Sequence, residues 1–156
     1  MAYLKLKNRK DFVSNFLSPV SNLNDQCVIK LTSDKLTCIL ASSDATIVCK
    51  ADIDIESDVT GEVNLNIPDI KKFVRVLEIL SDENIELKLN NNNLSFNNGD
   101  YKFKYHLLDD GIVKQPAINI EKVNSLDFDT EFDVKESNFT TLFKGSSFAI
   151  PSSNKW

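Results

Sequence analysis

The order of periodicities along the first hundred residues occurs twice, and a repeated order of elements limits the fold more tightly than any single motif. Residues 3–7 alternate apolar and polar side chains, which predicts a short strand. Residues 8–20 then carry Phe12, Val13, Phe16, Leu17 and Val20 at helical spacing, with Pro19 expected to stop the helix. Three strand-like runs follow, at 26–32, 36–41 and 45–55, parted by the turn clusters Ser33-Asp34-Lys35 and Ser42-Ser43-Asp44. The same order then returns. Residues 62–66 read as a strand, and Pro68 is expected in the first turn of a helix, where its missing N–H costs nothing. Ile70, Phe73, Val74, Leu77 and Leu80 form that helix's apolar face. Strands are predicted again at 85–89, 94–97 and 101–107, with turns at 90–93 and at Asn98-Gly99-Asp100, where Asn-Gly is a strong hairpin signal.

The chain thus reads as β-α-β-β-β units repeated with a period of roughly 60 residues, an α+β class of fold. A third unit begins after a polar connector that contains Gly111 and Pro116. Its strand is expected over 126–134, from Leu126, Phe128, Phe132 and Val134, and Phe139, Leu142 and Phe143 mark one face of its helix. The predicted organisation is one complete domain of two units at 1–108, a connector at 109–124, and the start of a second domain at 125–156.

Charge and composition exclude some functions. The formal net charge is −5, so a nucleic-acid contact would need a local basic patch. No apolar run approaches the ~20 residues of a membrane-spanning helix, and no apolar segment follows the basic residues near the N-terminus as in a secretory leader. A cytoplasmic location with reduced thiols is therefore expected. Cys27, Cys38 and Cys49 lie one per strand of the first meander, a spacing unlike the close pairs of zinc sites, and are expected as small buried hydrophobes. The acidic run 52–58 has Ser57 where a calcium loop needs glycine and Val63 where it needs a carboxylate. It is expected instead as a charged edge strand, with Ile53 and Ile55 inward. His106 near Asp109 or Asp110 is the one acid–base candidate, without a nucleophile beside it. No metal or cofactor is expected.

The second helix is the most informative element. At about 100° per residue, Lys71, Lys72 and Arg75 fall opposite its apolar face. A solvated surface is the ordinary reading of such a face. Lys144 projects in the same sense from the third helix, Lys7 precedes the first helix and Lys10 lies on its flank, while Arg9 points with the apolar side. Lys102 and Lys104 alternate with Tyr101, Phe103 and Tyr105, the pattern of one polar and one buried strand face.

Two such units, a connector and the start of another domain resemble the DNA sliding clamps, the polymerase processivity factors, and most of all those of T-even-type bacteriophages. The stretch NLNIPDIKKFVRVLEILSD at 64–82 is similar to that family's second helix with its preceding strand, IELKL at 85–89 to the strand that follows, and Asn15-Phe16 to its first helix. The likeness covers most of residues 3–107 and continues weakly to Phe148. It implies a head-to-tail homotrimer with sheets outside and helices lining a hole through which double-stranded DNA threads unread. It further implies tethering of the replicative polymerase, loading by an ATP-driven clamp loader, assistance to phage late transcription, no catalysis, and a net acidic exterior. By position it makes Lys71, Lys72, Arg75, Lys144, Lys10 and Lys7 the DNA-facing residues. Such a subunit needs two full domains, so the chain is expected to be a fragment or a shortened relative. The competing expectation is a β-rich phage structural or adaptor module that makes protein contacts only.

Overall fold

The computed structural model describes residues 2–118, 125, 127, 129–130, 133 and 135–146. These fall into two units, Met1–Ala117 and Ile118–Trp156. The first opens with β1 (Ala2–Leu6), whose Leu4 and Leu6 are buried while Lys5 is exposed. Helix α1 follows in three continuous stretches, Arg9–Asp11, a π-helical Phe12–Leu17, and Ser18–Leu23. Asn8 caps it, its side chain accepting from the Asp11 amide at 3.0 Å. Pro19 does not stop this helix. The Ser18 amide reaches back five residues to the Val13 carbonyl, so α-helical bonding restarts at Ser18. Pro19 thereby lands in a first turn, where no amide is required of it.

The meander β2 (Cys27–Leu31), β3 (Lys35–Ala41) and β4 (Val48–Asp54) comes next, followed by the short β5 (Glu56–Ser57). The single strand expected at 45–55 is therefore shorter at its start and divided at its end. Ala45 lies in the turn with a positive φ of 57°. Ile55, buried between β4 and β5, is where the chain changes sheets. Then come β6 (Val63–Ile67), α2 (Ile70–Glu78), β7 (Ile85–Asn90), β8 (Asn93–Asn97) and β9 (Lys102–His106). Asp69 is the N-cap of α2, which leaves Pro68 one residue before the cap rather than inside the helix's first turn. Gly99, at φ 97°, supplies the left-handed residue of the β8–β9 turn.

The strands form two antiparallel sheets in the orders β4-β3-β2-β6 and β5-β1-β7-β8-β9. Each repeat thus lends its first strand to the other. β1 pairs with β7, Leu4 opposite Leu87, and β6 pairs with β2, Leu65 opposite Ile29. Phe12, Phe16, Leu17 and Val20 of α1 and Ile70, Phe73 and Leu77 of α2 share one core with the inward side chains of both sheets. Exchange of first strands and a common core make the two repeats one cooperative body.

Several expectations from the acidic and sulfur-bearing residues are met. β4 is an edge strand, with Asp52 held by the Thr37 hydroxyl at 2.7 Å and Lys50 at 2.8 Å. Cys27 and Cys38 are buried and Cys49 half-buried, all three unpaired by disulfides. Hydrogen bonding to the Cys38 thiol, then burial, push the Cys27 thiol far above its ordinary range, so it behaves as a small hydrophobe. After β9 the chain crosses to β6. The Leu108 amide donates to the Asn66 carbonyl at 2.9 Å, and the buried Asn66 amide donates to Asp110 at 2.7 Å. His106 is exposed at the end of β9.

In the second unit, α3 (Glu136–Ser146) is helical as its spacing predicts, with Phe139, Leu142 and Phe143 exposed. Of the strand expected at 126–134, Leu126, Phe128, Phe132 and Val134 lie outside the described residues. No described helix is long and apolar enough to cross a membrane.

Candidate nucleic-acid interface

Helix α2 is fixed at both ends by distant parts of the first unit. At its start the Asp69 carboxylate accepts from the Lys72 amide at 2.8 Å, satisfying one of the free N–H groups of the first turn. The Ile70 amide donates to the Asp25 carbonyl at 2.9 Å. Tyr105 of β9 donates its hydroxyl to the Asp69 carbonyl at 2.6 Å and accepts from the Asp69 amide at 3.2 Å. Its ring lies 4.8 Å from that of Phe73. At the far end the buried Arg9 donates to the Leu77 carbonyl at 3.1 Å and the Asp82 carbonyl at 2.9 Å. A cation at a helix C-terminus also complements the dipole there.

The Tyr105 anchor has a measurable consequence. Burial, ahead of its polar neighbours, pushes the Tyr105 phenol up from 10.0 to about 12. Because the folded value lies above the unfolded one, the stability from this anchor is intact below pH 10 and is lost as pH rises from about 10 to about 12. Absorbance titration of phenolate is expected to show a component near 12 that Tyr105→Phe removes. The native protein should also lose stability across that interval more steeply than the variant. Equal slopes would contradict this account.

Held this way, α2 turns Phe73, Leu77 and Ile70 into the core and exposes Lys71, Lys72 and Arg75. The structure therefore brings these three predicted cations together on one exposed face. The face is not purely basic. Lys71 pairs with Asp25 at 2.9 Å, both side chains being largely exposed, a contact worth about 0–1 kcal/mol. Glu78 falls near Lys71 and Arg75 on the wheel, and Ile79 is exposed beside them. Asn24, Asp25, Asp69, Lys71 and Arg75 line an open groove of about 490 Å³ beside the helix. Nothing in the sequence signalled Asp25, which lies 46 positions before its partner.

The other predicted cations are placed differently. Lys10 is exposed in the first turn of α1, beside Asp11. Lys7 lies beyond the end of β1 and pairs with Glu56 at 2.7 Å, their hydrogen bond and charge raising the Lys7 value and lowering that of Glu56. It shares a groove with Lys5, Asn84 and Glu86 of the sheet side rather than with the α2 cations. Lys144 is exposed in the last turn of α3, in the second unit. The expectation of a net acidic exterior fails on the five-stranded sheet. Its outward residues include Lys5, Lys88, Lys102 and Lys104 against Glu56 and Glu86, because strand alternation sends Leu87, Leu94 and Tyr105 inward and leaves these cations outside.

Two β-α-β-β-β repeats, first strands exchanged, helices laid over paired antiparallel sheets, constitute the fold of the DNA sliding clamps. Among solved structures, the DNA polymerase III beta subunit of Pseudomonas aeruginosa matches with a TM-score of 0.60 at 11% identity, over 70% of this chain and 31% of its own. PCNA of Thermococcus kodakaraensis matches with a TM-score of 0.59 at 15% identity, over 76% of this chain and 52% of its own. The Helicobacter pylori beta clamp matches with a TM-score of 0.59 at 22% identity, over 75% of this chain and 32% of its own. The match thus spans about a third of the bacterial clamps and about half of the archaeal protein. At these identities the likeness establishes the fold. No protein-family model matches the sequence, and no curated protein matches it.

Proposed function

We propose that the chain belongs to a sliding clamp that encircles duplex DNA without reading its sequence and tethers a replicative polymerase. The observation that carries this reading is the exposed Lys71, Lys72 and Arg75 on a helix pinned at both ends, within the sliding-clamp fold. Cations at these positions offset phosphate repulsion and carry no base information. Weak, salt-sensitive contacts allow the protein to move along the duplex, and processivity comes from topology and the high effective concentration of a tethered polymerase. No catalytic group is needed. Lys144, Lys10 and Lys7 are proposed as further DNA-facing residues. A homotrimeric ring, a clamp loader, a T-even-type phage source, a host-cytoplasmic location and a part in late transcription extend the proposal on the strength of the sequence resemblance.

The test is topological. Protein loaded on nicked circular duplex is expected to stay bound through gel filtration at high salt, and to be lost once the circle is linearised. Equal retention on both forms would mean ordinary binding and would overturn encirclement. Absence of retention on either, with polymerase processivity unchanged, would favour the protein-contact module.

A further inference from the structure

The basic exterior of the five-stranded sheet plays no part in the reading above. Across the sheet, Tyr3 stands opposite Lys88, Lys88 opposite Ser95, and Ser95 opposite Lys104, all on the outward face. One step along, Asn97 stands opposite Lys102. On a chain of net charge −5, Lys5, Lys7, Lys30, Lys50 and Lys71 each have a carboxylate within ion-pair reach. Lys88, Lys102 and Lys104 have none among the described residues. These three border one open groove of about 640 Å³ with Ser95, Asn97 and Asn98. Its rim also carries two carboxylates, Glu86 at 3.8 Å from the Lys5 ammonium and Asp82 accepting from the Asn98 side-chain amide, so the three lysines leave the groove with one net positive charge.

We infer that this face docks an acidic segment of a partner protein in extended conformation. Alternate residues of an extended chain lie roughly 6.6–6.8 Å apart on one side, the same interval that separates Lys102 from Lys104 along β9. A strand with carboxylates at alternate positions therefore matches these ammonium groups in register, while the Asn97 amide can donate to its polar atoms. A nucleic-acid strand fits less well. Single-strand binding sheets present bare aromatic rings to the bases. Here Phe96 is buried, Phe103 half-buried, and the Tyr3 ring has the Lys5 ammonium 5.0 Å from its centre.

The probe is a fluorescently labelled peptide of alternating glutamate and serine, titrated with the full chain and read by anisotropy. Salt-sensitive binding is expected, weakened about tenfold or more by K88E/K102E/K104E and left unchanged by K71E/K72E/R75E. The neutral set K88Q/K102Q/K104Q should give an intermediate loss and serves if the reversal does not fold by circular dichroism. Three outcomes overturn the inference. These are no binding by the native chain, equal loss with the helix and sheet variants, and displacement of the peptide by single-stranded DNA that depends on the same three lysines. Duplex retention is read separately, so failure here leaves the clamp reading standing, and failure of retention leaves this one.

Discussion

K71E/K72E/R75E is expected to abolish the weak duplex binding proposed for this chain while leaving its fold intact. All three side chains are exposed, and the core side of α2 is untouched. Removing one cation from a phosphate lowers the slope of log affinity against log salt by about 0.9, so removing three lowers it by roughly 2 to 3. Charge reversal adds repulsion on top of this. Stability should move by no more than about 0.5 kcal/mol at Lys72 and Arg75, and by up to about 1 kcal/mol at Lys71, whose pair with Asp25 is lost. Asp25→Asn is the informative control, since it frees Lys71 from its one counter-ion and should strengthen binding slightly. Salt-dependent anisotropy on duplexes of two unrelated sequences gives the slope and checks that neither is preferred. An unchanged slope in the triple variant would remove α2 from the interface.

Arg9→Ala is expected to destabilise the first unit by roughly 2 to 4 kcal/mol, since this cation, unlike Lys7 and Lys10, points with the apolar side of its helix as its spacing predicts. The side chain is 7% exposed and joins α1 to the end of α2 through two backbone carbonyls. Without it the Leu77 carbonyl keeps the Leu80 amide, at 3.2 Å, while the Asp82 carbonyl is left without its donor. The Arg9 backbone amide still reaches the Glu83 carbonyl at 2.7 Å, so the chain entry into α1 is retained. Arg9→Lys should recover only part of the loss, because one ammonium cannot reproduce the planar fork that serves both carbonyls. Urea denaturation of the three proteins measures this. A loss below about 0.5 kcal/mol in Arg9→Ala would show that the buried cation is not what holds the helices together.

Element type was legible because it is a local property. Alternation marked β3 and β7, where Leu36, Cys38 and Leu40 and then Ile85, Leu87 and Leu89 are the inward residues. Helical spacing marked Phe73 and Leu77 as core and left Lys71, Lys72 and Arg75 outside. The errors lie where a local rule met a non-local solution. Pro19 breaks an ideal α-helix, yet the π-helical turn before it shifts the bonding register and absorbs it. The strand expected at 45–55 ends at Asp54 because Ile55 is needed in the core where the chain changes sheets.

The sequence by itself therefore determined the kind and order of the main elements, their repeat, and which side of each is apolar. Tertiary structure alone decided which strands are neighbours. Alternating apolar residues in β1 would suit either sheet, and only the shared core selects β7 for β1 and β2 for β6. The same holds for charge. A lysine in a sequence states its sign but not its partner. Asp25 beside Lys71, two carbonyls around Arg9, and the row of Lys88 and Lys104 across the outer sheet face follow from where the strands came to rest.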